Sequence, residues 1–176
     1  MDQHTRGRLE HVVLERENIG CCPGWNRLVK VLDPETYDVV VCFDNDCELI
    51  QPDTLSVVAG VAFRSGQIVS PHVLGLRNPP PTIGKHTVDW LSISETAILG
   101  NIFMAIPAKL LLDFRWDERH PVWAGGESVT AWHRSRGGWC GYVDGYQCWH
   151  YETTVGQARR FPEYFHRRIL EGGPAL

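Results

Sequence analysis

Two carboxylates one residue apart are the side chains of this sequence with the clearest chemistry. Asp44 and Asp46 follow the apolar run 38–43, so they stand where a buried strand opens into a loop. Carboxylate oxygens bind hard divalent cations, and a cation held by two of them keeps positions that phosphate oxygens fill. Ligands of open α/β sheets bind at this end of the strands. The pattern predicts a cation and phosphate site, against the alternative that both carboxylates only shape a turn.

The composition is that of one ordinary folded domain. The chain has 176 residues, of which 43% are hydrophobic and 22% charged, enough for a single α/β core over 1–176. A net charge of −4 and a pI of about 6.0 provide no general attraction to nucleic acid. No apolar run approaches the roughly 18 residues that span a bilayer, and residues 1–17 lack the apolar segment of a secretion signal. We therefore expect a cytoplasmic protein without a nucleic-acid partner or a transmembrane segment.

The six cysteines are predicted to be free thiols. No Cys-x-x-Cys pair occurs in the sequence, so the usual signature of a structural zinc site is absent. Cys42 and Cys47 flank the acidic pair, and the others are scattered. Free and mostly buried thiols are typical of a reducing compartment.

The elements that position the acidic pair follow from the spacing of apolar residues. Strands are predicted at 11–14, 38–43 and 68–74, with helices at 25–32 and 54–63 between them. Strands that alternate with helices indicate a parallel sheet with right-handed crossovers. The predicted fold class is therefore α/β, with a mainly parallel central sheet flanked by helices.

The second half of the chain continues the alternation after a break. Segment 77–97 contains three consecutive prolines and no clear period, which predicts a long functional loop. Beyond it we predict strands at 101–106, 140–143 and 149–150, helices at 107–112 and 127–136, and a C-terminal helix and tail at 156–176.

Five segments, taken in order, resemble the family 2 glycosyltransferases, which have the GT-A fold. The resemblance runs from about His11 to His150. The segments are Asn18-Ile19-Gly20 with Asn26, the acidic motif at 42–49 with its following helix, the strand at 100–107, Phe114-Arg115-Trp116-Asp117-Glu118, and Gly126-Glu127-Ser128-Val129. His150 sits where a histidine of this family often supplies a metal ligand.

The resemblance implies transfer of a sugar from a nucleotide-diphosphate-sugar donor to a hydroxyl of a carbohydrate or other acceptor. Displacement in one step would invert the anomeric carbon. The Mn²⁺ or Mg²⁺ ion would be bound by three side chains, Asp44, Asp46 and His150. The donor would contact four residues, Asn18, Gly20, Asn26 and Asp44. Glu127 would accept the proton of the acceptor hydroxyl.

Two departures from the family pattern keep alternatives open. The nucleoside-binding βαβ unit that begins GT-A domains is short or missing: either the chain is truncated relative to the family, or residues 1–10 form a reduced version. This leaves open whether a second copy or a partner chain completes the site. Ser128 stands where the family carries its aspartate base, which leaves the neighbouring Glu127, with Asp117 and Glu118 upstream as substitutes. One alternative is a non-catalytic GT-A-like module that binds sugar or assists assembly. The other is a nucleotidyltransferase, although its Gly-rich phosphate loop and nearby lysine are not visible near the N-terminus.

The single residues also have purely structural interpretations. His150 between Trp149 and Tyr151 is, taken alone, explained somewhat better by packing than by metal binding. Glu127 is explained by the preference of a helix start for negative charge. Asn18 and Gly20 are both common turn formers.

Overall fold

The computed structural model describes residues 20–32, 35–44, 46–76, 79–119 and 125–151, together with Arg159, Pro162 and Glu163. Within these residues the elements follow in the order α1 (Cys21–Val31), β1 (Val39–Phe43), β2 (Cys47–Leu49), α2 (Thr54–Ser65), β3 (Ile68–Leu74), β4 (Thr82–Val88), β5 (Leu91–Thr96), β6 (Phe103–Pro107), α3 (Leu110–Asp113), α4 (Gly125–Ser135) and β7 (Cys140–His150).

All the described strands belong to one sheet. Its order is β1-β6-β3-β7-β5-β4, and the short β2 pairs with the end of β7. Among the described strands, only β3 and β7 pair in parallel, and the five other pairings are antiparallel. The predicted α/β class is confirmed, but the prediction of a mainly parallel sheet is wrong.

The error has a simple topological cause. Helix α2 does connect two strands that point the same way, because β1 and β3 are each antiparallel to β6. The crossover skips one position, however, and β6 fills it in the opposite direction. Strand–helix–strand alternation predicts the direction of the two strands, but it does not predict which strand lies between them.

Helices cover both faces of the sheet. Side chains alternate along each strand, so Ile68 of β3 joins the core on one face and Val69 joins the core on the other. The first face is covered by residues of α1, α3 and α4, among them Trp25, Leu111 and Val129. The second face is covered by α2 through Val58, Val61 and Ala62. The result is a three-layer arrangement with the sheet in the middle.

The first two helices form where the sequence places them. Pro23 lies in the first turn of α1, where its missing N–H is not needed. Helix α2 ends at Gly66, which has a φ of 70° in the left-handed region that glycine adopts without strain. The predictions of helices at 25–32 and 54–63 and of strands at 38–43 and 68–74 are confirmed, with bounds that differ by a few residues.

The prediction of a long loop at 77–97 is wrong. This segment contains the antiparallel hairpin of β4 and β5, which turns at Asp89 and Trp90. Strand β4 lies at the edge of the sheet and is half-buried or exposed along its length, so it lacks the apolar alternation that identifies a strand. The two strands predicted at 140–143 and 149–150 are one strand, β7.

Several predictions fall on residues outside the described ranges. They include the strand at 11–14, Asn18, and most of the C-terminal helix and tail at 156–176. In the described part of the chain, no helix has both the length and the apolar character needed to cross a membrane.

The carboxyl ends of three strands lie together at one end of the sheet. Strand β3 is parallel to β7 and points the same way as β1, since both β1 and β3 are antiparallel to β6. The residues that follow β1 and those that end β7 therefore lie at the same end of the sheet, where the acidic pair is found.

Candidate metal centre

Three predicted ligands come together at the carboxyl ends of these strands. Asp44 follows β1, Asp46 precedes β2, and His150 ends β7. Cys47 pairs with His150 in the register of β2 and β7, which brings the neighbouring Asp46 next to the imidazole. We call Asp44, Asp46 and His150 the candidate metal centre.

The geometry of the candidate metal centre is compact. One ligand atom from each of its three side chains lies within 4.8 Å of the other two. His150 Nε2 is 3.3 Å from an Asp46 carboxylate oxygen and 3.8 Å from an Asp44 carboxylate oxygen. Two carboxylate oxygens and one imidazole nitrogen form a donor set suited to Mn²⁺ or Mg²⁺, and the nitrogen favours Mn²⁺.

Backbone hydrogen bonds hold both acidic residues in place. The Asp44 N–H donates to the carbonyl of Ile102 over 2.9 Å, and the Tyr151 N–H donates to the carbonyl of Asp46 over 3.0 Å. These bonds connect the loop after β1 to the start of β6 and to the end of β7. Neither supporting residue was predicted, because any residue type can supply a backbone group and the sequence carries no signal for it.

The imidazole of His150 contains an unsatisfied buried atom. Its side chain is 10% exposed, and its Nε2 has no hydrogen-bond partner among the described residues. A buried polar atom without a partner is costly and requires an explanation. Coordination of a cation by Nε2 would satisfy it, so this observation fits the metal that the sequence predicts.

The electrostatics of the acidic pair point the same way. Burial, and secondly the charge of Asp46, raise the pKa of Asp44 to about 7. Two carboxylates close together disfavour each other's ionisation unless a cation compensates them. A bound cation would compensate the two carboxylates; among the described side chains, His150 in its protonated form is the group placed to do so.

Two of the thiols near the acidic pair are held in the protonated form. All six cysteines are free, as predicted. Burial, and secondly the charge of Asp44, raise the pKa of Cys42 to about 12. The hydrogen bond between Cys47 and Cys148, and secondly burial, raise the pKa of Cys148. The same hydrogen bond lowers the pKa of Cys47, against the effect of its burial. Because metals bind thiolates rather than thiols, the protonated Cys42 and Cys148 leave the carboxylates and the imidazole as ligands.

The Asn26 side chain is buried and forms hydrogen bonds within the protein. It is 4% exposed, its Oδ1 accepts from the Trp116 N–H over 2.9 Å, and its Nδ2 donates to the Trp116 carbonyl over 2.8 Å. Nδ2 also donates to Glu118 over 3.0 Å. Both polar atoms are thus committed to the segment after α3, which leaves the predicted contact of Asn26 with the donor without support.

Of the predicted donor contacts Gly20 and Asn18, the structure describes only Gly20. Gly20 is the residue before α1, with a φ of 96° that favours glycine. The charge of Asp44 contributes to the raised pKa of the adjacent Cys21, after a hydrogen bond with Cys22 and burial, so the start of α1 lies near the acidic pair. Asn18 is outside the described residues.

Glu127 lies in the first turn of α4 and is exposed. The start of this helix is anchored by Asn101, whose side-chain oxygen accepts from the Gly126 N–H and whose amide donates to Cys21 over 3.2 Å. The start of α4 is therefore tied to the start of α1. The assignment of Glu127 as base stays a prediction.

No protein-family model matches this sequence, and no curated protein is similar to it. What indicates a function is therefore the geometry of the candidate metal centre, together with the motifs of the chain itself.

Proposed function

We propose that this chain is a metal-dependent glycosyltransferase, which moves a sugar from a nucleotide-diphosphate-sugar donor to an acceptor hydroxyl. The observation that carries the proposal is the convergence of Asp44, Asp46 and His150, whose Nε2 has no hydrogen bond among the described residues. This convergence occurs at the carboxyl ends of strands, where ligands of open α/β sheets bind. The order of the family 2-like motifs in the sequence supports the sugar-transfer assignment and a GT-A-like fold.

The roles of the residues follow from their chemistry. A bound Mn²⁺ or Mg²⁺ ion supplies Lewis acidity, which stabilises negative charge on the departing diphosphate. Asp44 and Asp46 must be ionised and His150 neutral to offer their lone pairs. In the displacement, the acceptor oxygen forms a bond to the anomeric carbon as the bond to the diphosphate oxygen breaks. The acceptor proton goes to a base, for which Glu127 is the residue that the sequence suggests.

The proposal also includes a second chain. Among the described strands, β1 pairs only with β6, so its other side has no partner within the described part of the chain. A second copy or a partner chain that covers this edge would complete the nucleoside side of the site.

A thermal-shift experiment tests the proposal. The full chain is heated with UDP, GDP, UDP-glucose or GDP-mannose, each with and without Mn²⁺. Because a ligand that binds only the folded state raises the unfolding midpoint with ln(1 + [L]/Kd), we expect an increase that requires both the metal and one of the nucleotides.

Two variants make the thermal-shift result specific. Asp46→Asn should abolish the increase, because it removes one ligand of the candidate metal centre. The control Asp113→Asn changes an exposed carboxylate at the end of α3 and should retain it. An increase that persists in Asp46→Asn would place the metal elsewhere, and no increase with any nucleotide would favour the non-catalytic module.

A further inference from the structure

Two cysteines contact each other across the strands that carry the candidate metal centre. Cys47 begins β2 and Cys148 lies near the end of β7. Their thiols share a hydrogen bond, and both side chains belong to the core on the α2 face of the sheet. Neither cysteine is part of a disulfide. The contact therefore joins two reduced thiols.

The register of β2 and β7 explains this contact. Cys47 is opposite His150, and Leu49 is opposite Cys148. Side chains of paired residues point to the same face of a sheet, as do those of residues two apart in one strand. Cys47, Cys148 and His150 therefore share a face, and the two thiols are diagonal neighbours across the strand pair.

Both cysteines are close in the chain to metal ligands. Cys47 follows Asp46 directly, and Cys148 precedes His150 by two residues. The Tyr151 N–H donates to the carbonyl of Asp46 over 3.0 Å, and His150 Nε2 is 3.3 Å from the Asp46 carboxylate. The position of β2 along β7 therefore sets the distance between these two ligands.

Strand β2 is the shortest of the described strands. It has three residues, Cys47–Leu49, and among the described strands it pairs only with β7. Its middle residue is exposed and the other two are partly buried. Strand β7 has eleven residues and pairs with β3 and β5 as well. If a new bond draws the two strands along each other, β2 is therefore the one that moves.

A disulfide between the two thiols requires such a movement. Diagonal neighbours in an antiparallel pair are roughly 7–8 Å apart, whereas the Cα atoms that a disulfide joins are usually about 4.4–6.8 Å apart. The bond would draw Cys47 along β7 towards Cys148, away from its place opposite His150, and Asp46 would follow. A disulfide closed at this cost is also readily reduced.

The chain contains a second pair of thiols in contact that serves as a comparison. Cys21 and Cys22 share a hydrogen bond, but they are consecutive residues in the first turn of α1. Adjacent side chains of a helix point in directions about 100° apart and do not face each other. A disulfide there would have to distort the helix. Closure is therefore expected only for the pair on facing strands.

The two thiols of the strand pair differ in their access to solvent. Cys148 is fully buried, whereas Cys47 is partly exposed. A small oxidant in solution therefore reaches Cys47 first, and Cys148 is the thiol in contact with the sulfur that has been oxidised. An accessible cysteine beside a second one that resolves it is the arrangement of reversible redox sensors.

We propose that Cys47 and Cys148 form a reversible disulfide that weakens metal binding at the candidate metal centre. Hydrogen peroxide oxidises Cys47 to a sulfenic acid and releases one water. The Cys148 sulfur then attacks the Cys47 sulfur, so that the S–S bond forms as the S–O bond breaks. The hydroxyl leaves with the Cys148 proton as a second water. The two thiols thus supply the two electrons that reduce one peroxide.

The first test maps the bond and requires no metal. The full chain is treated with hydrogen peroxide, catalase removes the excess, and N-ethylmaleimide blocks the remaining thiols. Trypsin leaves Cys47 in peptide 31–64 and Cys148 in peptide 137–159, each with one further cysteine, so fragmentation spectra assign the linked sulfurs. We expect a bond between Cys47 and Cys148 that dithiothreitol removes. No bond, or a bond between other cysteines, would overturn the proposal.

The second test measures the affinity for Mn²⁺ through thermal unfolding of the reduced and the oxidised protein. Oxidation should weaken Mn²⁺ binding by about 10- to 100-fold, the usual cost of disturbing the support of a ligand, and dithiothreitol should restore it. Cys47→Ser and Cys148→Ala should bind Mn²⁺ equally before and after peroxide. The control Cys140→Ser changes a buried thiol at the opposite end of β7 and should retain the response to peroxide.

The outcomes separate this proposal from the proposed function, because only its effect on the metal rests on that function. A bond between Cys47 and Cys148 that leaves the Mn²⁺ affinity unchanged overturns the control of the metal. A reduced wild-type protein that does not bind Mn²⁺ overturns the metal site of the transferase and this control together, while the first test still decides whether the bond forms.

Discussion

At the scale of single residues, the candidate metal centre combines groups that are unfavourable to each other without a cation. Asp44 and Asp46 are adjacent carboxylates, and the buried His150 Nε2 lacks a hydrogen bond. Such strain is typical of sites that are completed by a ligand. The three residues could be predicted from motif order and strand ends. The backbone partners of the acidic pair and the contact of Cys47 with Cys148 could not, because both depend on strand register.

The clearest consequence for a single residue concerns Asp44. Asp44→Asn removes a carboxylate that is held near another negative charge, so the metal-free variant should unfold at a higher temperature than the wild-type protein at pH 8. The same variant should lose most of the stabilisation by Mn²⁺. Thermal unfolding with and without Mn²⁺ measures both effects. A metal-free variant less stable than the wild-type protein would show that the Asp44 carboxylate stabilises the fold by itself.

At the scale of elements, the starts of α1 and α4 and the segment after α3 form one connected support. Asn26 joins α1 to Trp116, and Asn101 joins the start of α4 to Cys21. Gly126 is required at this point, because a Cβ there would lie 2.2 Å from the Leu99 carbonyl oxygen. The helices themselves were predictable from apolar spacing. Their connections were not, since a buried asparagine resembles a ligand-binding one in sequence.

The role of Asn26 can be tested through stability. Asn26→Ala leaves the buried N–H and carbonyl of Trp116 without partners, which should lower the free energy of unfolding by about 2–4 kcal/mol. Urea unfolding measures the change, and Lys30→Ala on the exposed side of the same helix provides the control. Loss of nucleotide binding in Asn26→Ala with unchanged stability would restore the predicted donor contact.

At the scale of the whole molecule, strand order decides where the chemistry lies. The sequence predicted strands β1 and β3 and the helix between them. The insertion of β6 between these strands and the hairpin of β4 and β5 were missed. A strand pairs through its backbone, so its neighbours leave little trace in its side chains. An edge strand such as β4 also lacks the apolar alternation of a buried strand.

The stability of the metal-free protein should depend on pH in a defined direction. The raised pKa of Asp44, about 7, means that the folded state binds a proton more tightly than the unfolded state. This contribution is fully present below the ordinary carboxyl pKa of about 4 and is lost as the pH rises through about 7.

Urea unfolding at pH 5 and pH 8 tests this dependence. Without metal, the free energy of unfolding of the wild-type protein minus that of Asp44→Asn should be larger at pH 5 than at pH 8. Mn²⁺ competes with the proton, so its affinity should increase over the same interval. The same pH dependence in wild type and variant would assign the titration to another group.

The position of β1 at the margin of the described sheet has one further consequence. Its residues, Val39–Phe43, carry no charge and no proline, so nothing in them opposes the addition of another extended chain along the side that has no partner among the described strands. A strand that joins there in the direction of β1 would end beside Asp44. The addition of a strand on this side would therefore restrict access to the acidic pair. A short extended peptide that pairs with β1 would block the site.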